Sequence, residues 1–329
     1  MKGAFVISLD FELYWGVRDS KSMDAYKEHI LGVKEVIPAL LHLFKEFNIH
    51  ATFATVGLLT FENKETLTQH LPKGIPSFTN DAYTISTAYL NTLGNTETED
   101  PYHFGYSLLK QIQAAEQHEI ASHTFTHYYT LEEGATIGYF KADIAAYQTR
   151  AHELGIELDT IIFPRNQFNL NYLTICKEAS FQGYRGTEKS WMYKPMSRQK
   201  ETLLRRFSRL IDAYINISGM NSYDWSALKD ISGLYNIPSS RFLRPYSHKL
   251  RFFEYLRLKR IKNAMTHAAI NEEVFHLWWH PHNFGKDLKQ NIAFLRSILE
   301  HQHTLQKIYG FESRTMKKCY SIIHNYEQR

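Results

Sequence analysis

The sequence predicts an α/β protein in which parallel strands alternate with helices, either as a (β/α) barrel or as an open doubly wound sheet. Three observations support this class. The first 60 residues contain a strand–helix–strand pattern, and this pattern recurs over most of the chain. The length of 329 residues suits one large barrel or two smaller domains.

The first 60 residues show the strand–helix–strand pattern most clearly. Residues 4–9 form a short apolar run, which is typical of a buried strand. Apolar residues recur at helical spacing over residues 33–47, so we expect an amphipathic helix there, in which Pro38 marks the start or a kink. A second apolar run at residues 51–56 predicts the next strand. Two strands joined through a helix in this way are parallel.

The later units repeat this pattern with two interruptions. We expect helices at about residues 106–118, 136–154, 171–180 and 287–307, and strands at 119–123, 160–164, 183–185 and 274–279. Residues 60–104 and 190–270 do not fit the alternation and are expected to be insertions, the first of them a long loop or lid over one face. We therefore predict a single domain over residues 1–310 and a C-terminal tail over residues 311–329.

Composition excludes several classes of protein. The chain is 43% hydrophobic and 22% charged, which is ordinary for a protein with a large core and excludes disordered or fibrous chains. The formal net charge of +4 is too small to indicate a nucleic-acid partner. No apolar run approaches the ~18 residues of a membrane span. No signal leader is recognisable, and the two cysteines, Cys176 and Cys319, form no CxxC pair, so we expect a cytoplasmic location.

Two carboxylates follow the first predicted strand. Asp10 and Glu12 are two residues apart, so in an extended chain their side chains point to the same side. They stand at the carboxyl end of the strand, where barrels and parallel sheets place their active sites. The alternative is that they are solvated loop acids or helix caps.

Two histidines follow another predicted strand. His123 and His127 have a spacing that lets both imidazoles reach one metal ion from a tight loop or a helical turn. Because the chain has 17 histidines, roughly one such pair is expected by chance. His276 and His280 share the spacing, but on a predicted strand they would stand about 13 Å apart, too far for one ion. Only the first pair therefore predicts a metal clamp.

Two further strand ends carry candidate side chains. Arg165 could hold a carboxylate by a bidentate contact and keep it ionised, or it could form a surface ion pair. His280 could act as a general acid or as a metal ligand, or it could cap a backbone carbonyl. We interpret His276, inside the strand, as a core histidine with satisfied hydrogen bonds. Two imidazoles, one carboxylate and an open position are typical of a catalytic zinc site.

The order and spacing of these motifs resemble the NodB-like polysaccharide deacetylase family of metal-dependent carbohydrate esterases. The resemblance extends over most of residues 1–300. Two features depart from the family pattern: the first motif is Asp-x-Glu, and the prolines that usually follow the arginine are absent. The matching motifs are Ser8-Leu9-Asp10-Phe11-Glu12, Ala51-Thr52-Phe53 followed by Gly57, Ser122-His123 through His127, Phe163-Pro164-Arg165, and Leu277 through His280.

The resemblance implies a distorted (β/α) barrel of the NodB-like type with long insertions, and a metal site within it. Glu12, His123 and His127 would hold a divalent ion, with Zn²⁺ expected and Co²⁺ or Ni²⁺ as alternatives, because nitrogen and oxygen ligands select weakly among these ions. Asp10 would act as the base. The longer side chain of Glu12 leaves open that these two acids exchange roles.

The same resemblance implies the remaining roles. Arg165 would orient Asp10, and His280 would protonate the leaving amine, with His282 as the alternative acid. The residues expected to contact substrate are Trp15, Asn166, Gln167 and His282.

The implied activity is removal of an N-acetyl group from an amino sugar by a metal-dependent hydrolase. Without a recognisable leader, a cytoplasmic sugar used in bacterial surface-polysaccharide synthesis is favoured over a wall polymer. Two alternatives stay open: hydrolysis of a non-sugar amide or ureide C–N bond, and glycan binding without catalysis. No nucleic-acid partner is expected.

A basic segment raises a further question about substrate and location. Residues 241–262 hold eight lysines and arginines against the single acid Glu254, with aromatic residues interleaved. The simple interpretation is a solvated helix whose apolar side packs on the core. The alternative is contact with a phosphate-bearing glycan, a nucleotide sugar or the inner face of the membrane.

Overall fold

A curled sheet of parallel strands organises the molecule. The computed structural model describes residues 1–74 and 76–327. Within these residues the strands are β1 (Ala4–Phe11), β2 (Ala51–Thr55), β3 (Glu119–Ser122), β4 (Thr160–Ile161), β5 (Gly183–Tyr184), β6 (Tyr235–Asn236), β7 (Arg241–Phe242), β8 (Val274–Trp279) and β9 (Glu312–Arg314).

Helices connect the strands and cover the sheet. In the same described residues they are α1 (Met23–Leu31), α2 (Val33–Glu46), α3 (Lys64–Gln69), α4 (Thr87–Asn91), α5 (Tyr106–Ala114), α6 (Ile137–Glu153), α7 (Leu170–Glu178), α8 (Leu203–Asp212), α9 (Glu254–Ile270), α10 (Leu288–Tyr309) and α11 (Met316–Glu327). The helices predicted after the first, third, fourth and last of the predicted strands all form, with ends that differ by a few residues.

The order of the strands places β1 in the interior of the sheet, between β2 and β8. The order is β6-β5-β4-β3-β2-β1-β8-β7, with β9 also pairing to β1, and each pairing is parallel. Every residue of β1 is buried. This burial is expected because the outer face of a barrel strand packs against helices and its inner face packs inside the barrel, so the strand is mostly apolar in the sequence.

One continuous segment links the two ends of this strand order. In its first half, the backbone N–H of Ile237 donates to the carbonyl of Tyr184 in β5 at 2.9 Å. In its second half, the N–H of Leu243 donates to the carbonyl of Trp278 in β8 at 2.8 Å. The chain thus changes partner between β6 and β7 and draws the sheet into a distorted (β/α) barrel. The predicted fold class is confirmed.

The main core lies between the sheet and its helices. α2 buries an apolar face that the periodicity of residues 33–47 predicts, with Pro38 inside the helix. At roughly 25 cal/mol per Å² of apolar surface, burial of this face is the main force that holds α2 on the sheet. The buried residues of this face are Val33, Val36, Ile37, Leu40, Leu43 and Phe44.

Two predicted boundaries are wrong. Residues 190–270 are not simply an insertion, because they contain β6, β7 and α9, which belong to the barrel and its helical layer. Residues 311–327 are not a tail, because β9 pairs with β1 and α11 buries Met316 and Cys319. Residues 328 and 329 of the predicted tail lie outside the described residues, and so does residue 75 of the predicted insertion at 60–104.

The segment at residues 60–104 contains α3, α4 and several turns, and it is fastened to the chain that follows β1. The indole N–H of Trp15 donates to the carbonyl of His103 at 2.8 Å, and the N–H of Tyr14 donates to the carbonyl of Tyr102 at 3.0 Å. Its closure as a lid stays a prediction. Among residues 1–74 and 76–327, no helix combines the length and apolar composition that crossing a membrane requires.

Candidate active site

Candidate side chains meet at the carboxyl ends of the strands. Asp10 lies near the end of β1 and Glu12 directly after it, while His123 follows β3 and His280 follows β8. Parallel strands present these ends on the same side of a barrel. The structure therefore brings Glu12 and His123 into contact although 111 residues separate them.

Glu12 and the two histidines form a buried cluster. The Oε2 atom of Glu12 lies 3.2 Å from Nε2 of His123 and 3.1 Å from Nε2 of His127. Nδ1 of His123 lies 2.8 Å from the carbonyl oxygen of Ile162, so we assign the ring proton to Nδ1. The Nε2 lone pair of His123 then points at the carboxylate of Glu12.

His127 is neutral at pH 7. Burial lowers its pKa to about 4, and the nearby Glu12 only partly offsets this effect. The Nε2 atoms of His123 and His127 therefore face the same carboxylate oxygen of Glu12 in a buried cluster. Burial tends to raise the pKa of Glu12, but the charge of His280 and the close contacts with His123 and His127 hold it well below its ordinary value.

These donor atoms fit a divalent metal ion. The ligand atoms of Glu12, His123 and His127 lie within 4.8 Å of one another, and nitrogen and carboxylate ligands are those that zinc takes in catalytic sites. Glu12, His280 and His282 form a second such group among the described residues. Its separations are longer, at 3.6 Å and 3.9 Å from Glu12 Oε1, so we favour the first group.

The loop that carries both histidines is held by hydrogen bonds to a helix. The carboxylate of Asp143 in α6 accepts from the backbone N–H of Phe125 at 2.7 Å and of Thr126 at 2.9 Å. His127 adopts a left-handed backbone conformation with φ of 58°, which is uncommon outside glycine. Asp143 therefore positions the loop in which this conformation occurs. Burial raises the pKa of Asp143 to about 6.

A glycine makes room for Glu12. A Cβ atom built on Gly16 would lie 1.9 Å from Cδ of Glu12, well inside van der Waals contact. The chain after β1 therefore folds directly over the carboxylate, and any side chain at position 16 would displace it. This requirement explains why glycine follows the aromatic pair Tyr14-Trp15.

Asp10 forms a two-pronged ion pair with Arg185. The two guanidinium nitrogens lie 2.7 Å and 2.8 Å from the two carboxylate oxygens, and Arg185 also donates to Ser8 Oγ at 2.9 Å. Arg185 has no exposed surface, and its guanidinium stacks 4.1 Å from the ring centre of Trp278. Burial tends to raise the pKa of Asp10, but the charge and hydrogen bonds of Arg185, together with the charges of His123 and His280, lower it.

The prediction that Arg165 orients Asp10 is wrong. Arg165 instead pairs with Asp19 and lies 3.3 Å from Glu132. The sequence interpretation missed Arg185, which directly follows β5. Its position at the carboxyl end of a strand could have identified it, because the other candidates were selected by that position. Charged residues at the carboxyl ends of parallel strands lie on the same end of the barrel.

Of His280 and His282, only His280 is placed to contact a substrate. Its side chain is 23% exposed, and Nε2 lies 3.7 Å from Asp10 Oδ2 and 3.6 Å from Glu12 Oε1. His282 is buried behind it, with ring centres 5.0 Å apart, and burial lowers its pKa to about 3. His276 contacts Ser8 Oγ and the carbonyl of Ile237, which fits a core histidine with satisfied hydrogen bonds.

A cleft of about 370 Å³ opens over this cluster. Asp10, Glu12, His127, Trp278 and His280 line one part of it, and Asn166 and Arg165 border the same space.

Three predicted substrate contacts lie outside the cleft. Trp15 and Gln167 have no exposed surface, so the prediction that they contact substrate is wrong. Trp15 packs with its indole N–H bonded to a backbone carbonyl, and Gln167 donates to Glu132 at 2.6 Å. His282 also does not line the cleft. Asn166 does line it, and its amide oxygen accepts from Arg185 at 2.9 Å.

Comparison with known sequences finds a family match over just under half of the chain. Residues 24–184 match the polysaccharide deacetylase family. The resemblance predicted from the motifs is thereby confirmed, and it supports a carbohydrate deacetylase function. The matched segment includes His123, His127 and Arg165, whereas Glu12 and Arg185 lie just outside it. No curated protein matches the chain.

Solved structures share the fold at low sequence identity. A putative polysaccharide deacetylase from Mycobacterium smegmatis aligns with a TM-score of 0.61 and 13% identity over 99% of this chain and 92% of that one. Puue allantoinase aligns at 0.56 and 12%, over 98% and 89%. A 4-alpha-glucanotransferase from Thermococcus litoralis aligns at 0.53 and 11%, over 98% and 40%. At these identities the similarity establishes the fold alone.

Replacing Asp143 by alanine should loosen the loop that carries both histidines. The N–H groups of Phe125 and Thr126 would lose their acceptor, so we expect the free energy of unfolding to fall by about 2–4 kcal/mol. Zinc affinity should fall about tenfold or more. Urea denaturation and zinc titration measure the two effects, and Asp24→Ala, at an exposed position, is the control. Unchanged zinc affinity in Asp143→Ala would contradict this positioning role.

Replacing Arg185 by methionine should destabilise the protein by about 3–5 kcal/mol, because the buried charge of Asp10 would lose its partner. Asp10→Asn in the Arg185→Met background should recover part of this loss, since the unpaired charge is then absent. Chemical denaturation of the four proteins of this cycle measures the coupling. The exposed Arg206→Met is the matched control. Strictly additive effects would show that the two side chains do not depend on each other.

Proposed function

We propose that the protein is a metal-dependent hydrolase that removes an N-acetyl group from an amino sugar. The observation that supports this most is the placement of the ionised pair Asp10–Arg185 beside the cluster of Glu12, His123 and His127. A base and a candidate metal site then border the same cleft, which is the arrangement that hydrolysis of an amide requires.

Glu12, His123 and His127 are the proposed ligands, and Zn²⁺ is the proposed ion, with Co²⁺ or Ni²⁺ as alternatives. When bound, such an ion supplies polarisation of the acyl carbonyl and a lowered pKa of water. The Nδ1–H of His123 bonded to Ile162 supports this assignment, because it directs the Nε2 lone pair at the shared point.

Asp10 is the proposed general base. Because Arg185 lowers its pKa, Asp10 is ionised at neutral pH and can accept a proton from the water that attacks the acyl carbon. The arginine occupies both carboxylate oxygens, so it also limits rotation of the group. Its function is to position and ionise Asp10 rather than to touch the substrate.

His280 is the proposed general acid. It borders the cleft, and its Nε2 lies within 4 Å of both Asp10 and Glu12. An amide nitrogen leaves poorly unless it is protonated, so His280 would donate a proton as the C–N bond breaks. Water supplies the hydroxyl group that becomes part of acetate, and the other product is a free amino sugar. Bacterial surface-polysaccharide synthesis is the proposed setting.

The Asp10→Asn variant should lose at least about a thousandfold in kcat while it retains zinc, because the substitution removes the base but no proposed ligand. Glu12→Gln should lose both activity and zinc. Deacetylation of a panel of N-acetylated amino sugars, alongside small amides and ureides, measures activity, and metal analysis measures zinc.

Asp24→Asn, at an exposed position, is the matched control and should behave as the wild type. Full activity of Asp10→Asn would overturn the assignment of the base. Hydrolysis confined to the small amides would favour the non-sugar alternative, and zinc-loaded protein inactive on the whole panel would favour glycan binding without catalysis.

We also propose a cytoplasmic location with contact at the inner face of the membrane. In the basic segment 241–262, Arg257 and Arg260 are buried at 2% and 5% exposure, whereas Phe252, Phe253 and Tyr255 are exposed. The ring of Phe253 lies 6.3 Å from that of Tyr214, just after α8, so the two regions adjoin. We call this the membrane-docking surface: Leu203, Leu204, Phe207, Phe252, Phe253, Tyr255, Lys249, Arg251 and Lys259.

The composition of this surface favours an anionic bilayer as its partner. Phe252 is 80% exposed and Leu203 is 79% exposed, so large apolar side chains face outward beside exposed cations. Such a combination suits the interface of a membrane, in which apolar side chains enter the headgroup layer and cations contact anionic lipids.

The Phe207→Ser/Phe252→Ser double variant should bind vesicles of phosphatidylcholine and phosphatidylglycerol about tenfold more weakly than the wild type, because it removes two apolar anchors. Sedimentation with such vesicles measures binding. Ile308→Ser removes an exposed apolar side chain from α10, outside the surface, and should leave binding unchanged. Absence of binding by the wild type, or binding that salt does not weaken, would contradict membrane contact through this surface.

A further inference from the structure

Cations dominate the part of the cleft away from the acids and histidines. Three of them belong to the region around α8, and two belong to β7 and the residues just after it. Two carboxylates, Glu188 and Glu201, line this part. The cations are Lys194, Arg205, Arg209, Arg241 and Arg244.

Arg241 is buried with unused hydrogen-bond donors. Its side chain is 3% exposed, and one guanidinium nitrogen donates to Asp212. Its Nε and Nη2 atoms have no hydrogen-bond partner. A buried donor without an acceptor costs about 1–3 kcal/mol, so an arginine that lines a cleft in this state is suited to a ligand that supplies the acceptor.

Asp212 does not provide the missing acceptors. Its carboxylate accepts from the Tyr193 hydroxyl at 2.8 Å, from Ser218 Oγ at 2.8 Å and from the Ile217 N–H at 2.9 Å. Burial tends to raise the pKa of Asp212, but the charge of Arg241 and these hydrogen bonds hold it far below its ordinary value. Several donors therefore already share the single negative charge of Asp212.

Arg244 adds a cation without a carboxylate partner. No described acidic side chain forms an ion pair with it, while Glu201 pairs with Arg209 at 3.1 Å. Burial lowers the pKa of Arg244; Tyr214 and Tyr193 partly offset this effect, and the charges of Arg257 and Arg209 add to it. Cations that disfavour one another in a partly buried cleft would be stabilised by a bound anion.

This cationic region adjoins the acid–base residues through one side chain. β7 pairs with β8, and the ring centre of Phe242 lies 4.7 Å from that of Trp278 and 5.8 Å from that of His280. Arg241 precedes Phe242 in the chain. One ligand could therefore place an anionic group at the arginines and an amide at the acid–base residues.

We propose that the region around Arg241 and Arg244 is a phosphate site, and that the substrate is an N-acylated sugar carried on a phosphate or diphosphate ester. The proposal rests on the proposed deacetylase function for the acylated sugar, but the anion site can be tested without it. Guanidinium groups bind phosphate oxygens in pairs, and the free donors of Arg241 beside the unpaired Arg244 match a dianion better than a single carboxylate.

Binding of inorganic phosphate tests the site independently of catalysis. We expect phosphate to raise the melting temperature of the zinc-loaded protein by more than potassium chloride of equal ionic strength does. Arg244→Gln should abolish this excess, and Arg206→Gln, at an exposed position of α8, should keep it. Because Arg241→Gln could lose stability through Asp212, Arg244→Gln is the deciding variant.

The outcomes separate cleanly. Loss of the phosphate effect in Arg244→Gln alone supports the site. An equal phosphate effect in the wild type and in Arg244→Gln means that phosphate binds elsewhere, and absence of any excess over chloride means that no phosphate site exists; either result overturns the proposal. Neither result bears on hydrolysis of neutral N-acetyl sugars, so the proposed function stands or fails separately.

A second measurement distinguishes the carriers. The catalytically impaired Asp10→Asn protein is titrated with N-acetylglucosamine on uridine diphosphate in solution, on polyprenyl diphosphate in detergent micelles, and as the methyl glycoside. We expect one phosphate-bearing form to bind at least tenfold more tightly than the methyl glycoside, and Arg244→Gln to remove the difference. Tighter binding of the uridine diphosphate form identifies a nucleotide carrier, and tighter binding of the polyprenyl diphosphate form identifies a lipid carrier. Equal binding of all three ligands overturns the proposal.

Discussion

The buried ion pair between Asp10 and Arg185 is the constraint on which the candidate site depends. Removal of two charges from water costs several kcal/mol for each ion unless the geometry pairs them well. Here both carboxylate oxygens meet guanidinium nitrogens, and Ser8 and Asn166 satisfy further donors. The arginine thereby keeps Asp10 ionised and fixed. Glu12, two residues on, is left to face the histidines.

The barrel makes this pair possible. Asp10 and Arg185 are 175 residues apart, but both stand at carboxyl ends of parallel strands. The segment that contains β6 and β7 changes its partner from β5 to β8, and this change brings Arg241 next to the strand that leads to His280. Catalytic and anion-binding candidates therefore adjoin because one short stretch of chain joins the ends of the sheet.

The two parts of the cleft differ in their dominant charge. Acids and histidines occupy the part above β1 and β3, while arginines from α8 and β7 occupy the other part. α8 also carries the exposed Leu203 and Leu204, beside Arg205 and Arg209 that face the cleft. A substrate with an acylated sugar, a phosphate and a carrier would thus meet a different kind of surface at each of its parts.

The alternation of strands and helices, the strand-end positions of Asp10, Glu12, His123 and His280, and the resemblance to polysaccharide deacetylases could be predicted from the sequence, because apolar periodicity and motif spacing are local properties of the chain. Which arginine forms an ion pair with Asp10 depends on the tertiary structure. Arg165 and Arg185 both lie at strand ends, but Arg165 has Asp19 and Glu132 as nearer acids, and only packing sets such distances. The tertiary structure also decided that Trp15 and Gln167 are buried and that residues 311–327 join the barrel, since burial and strand pairing depend on contacts between segments far apart in the chain.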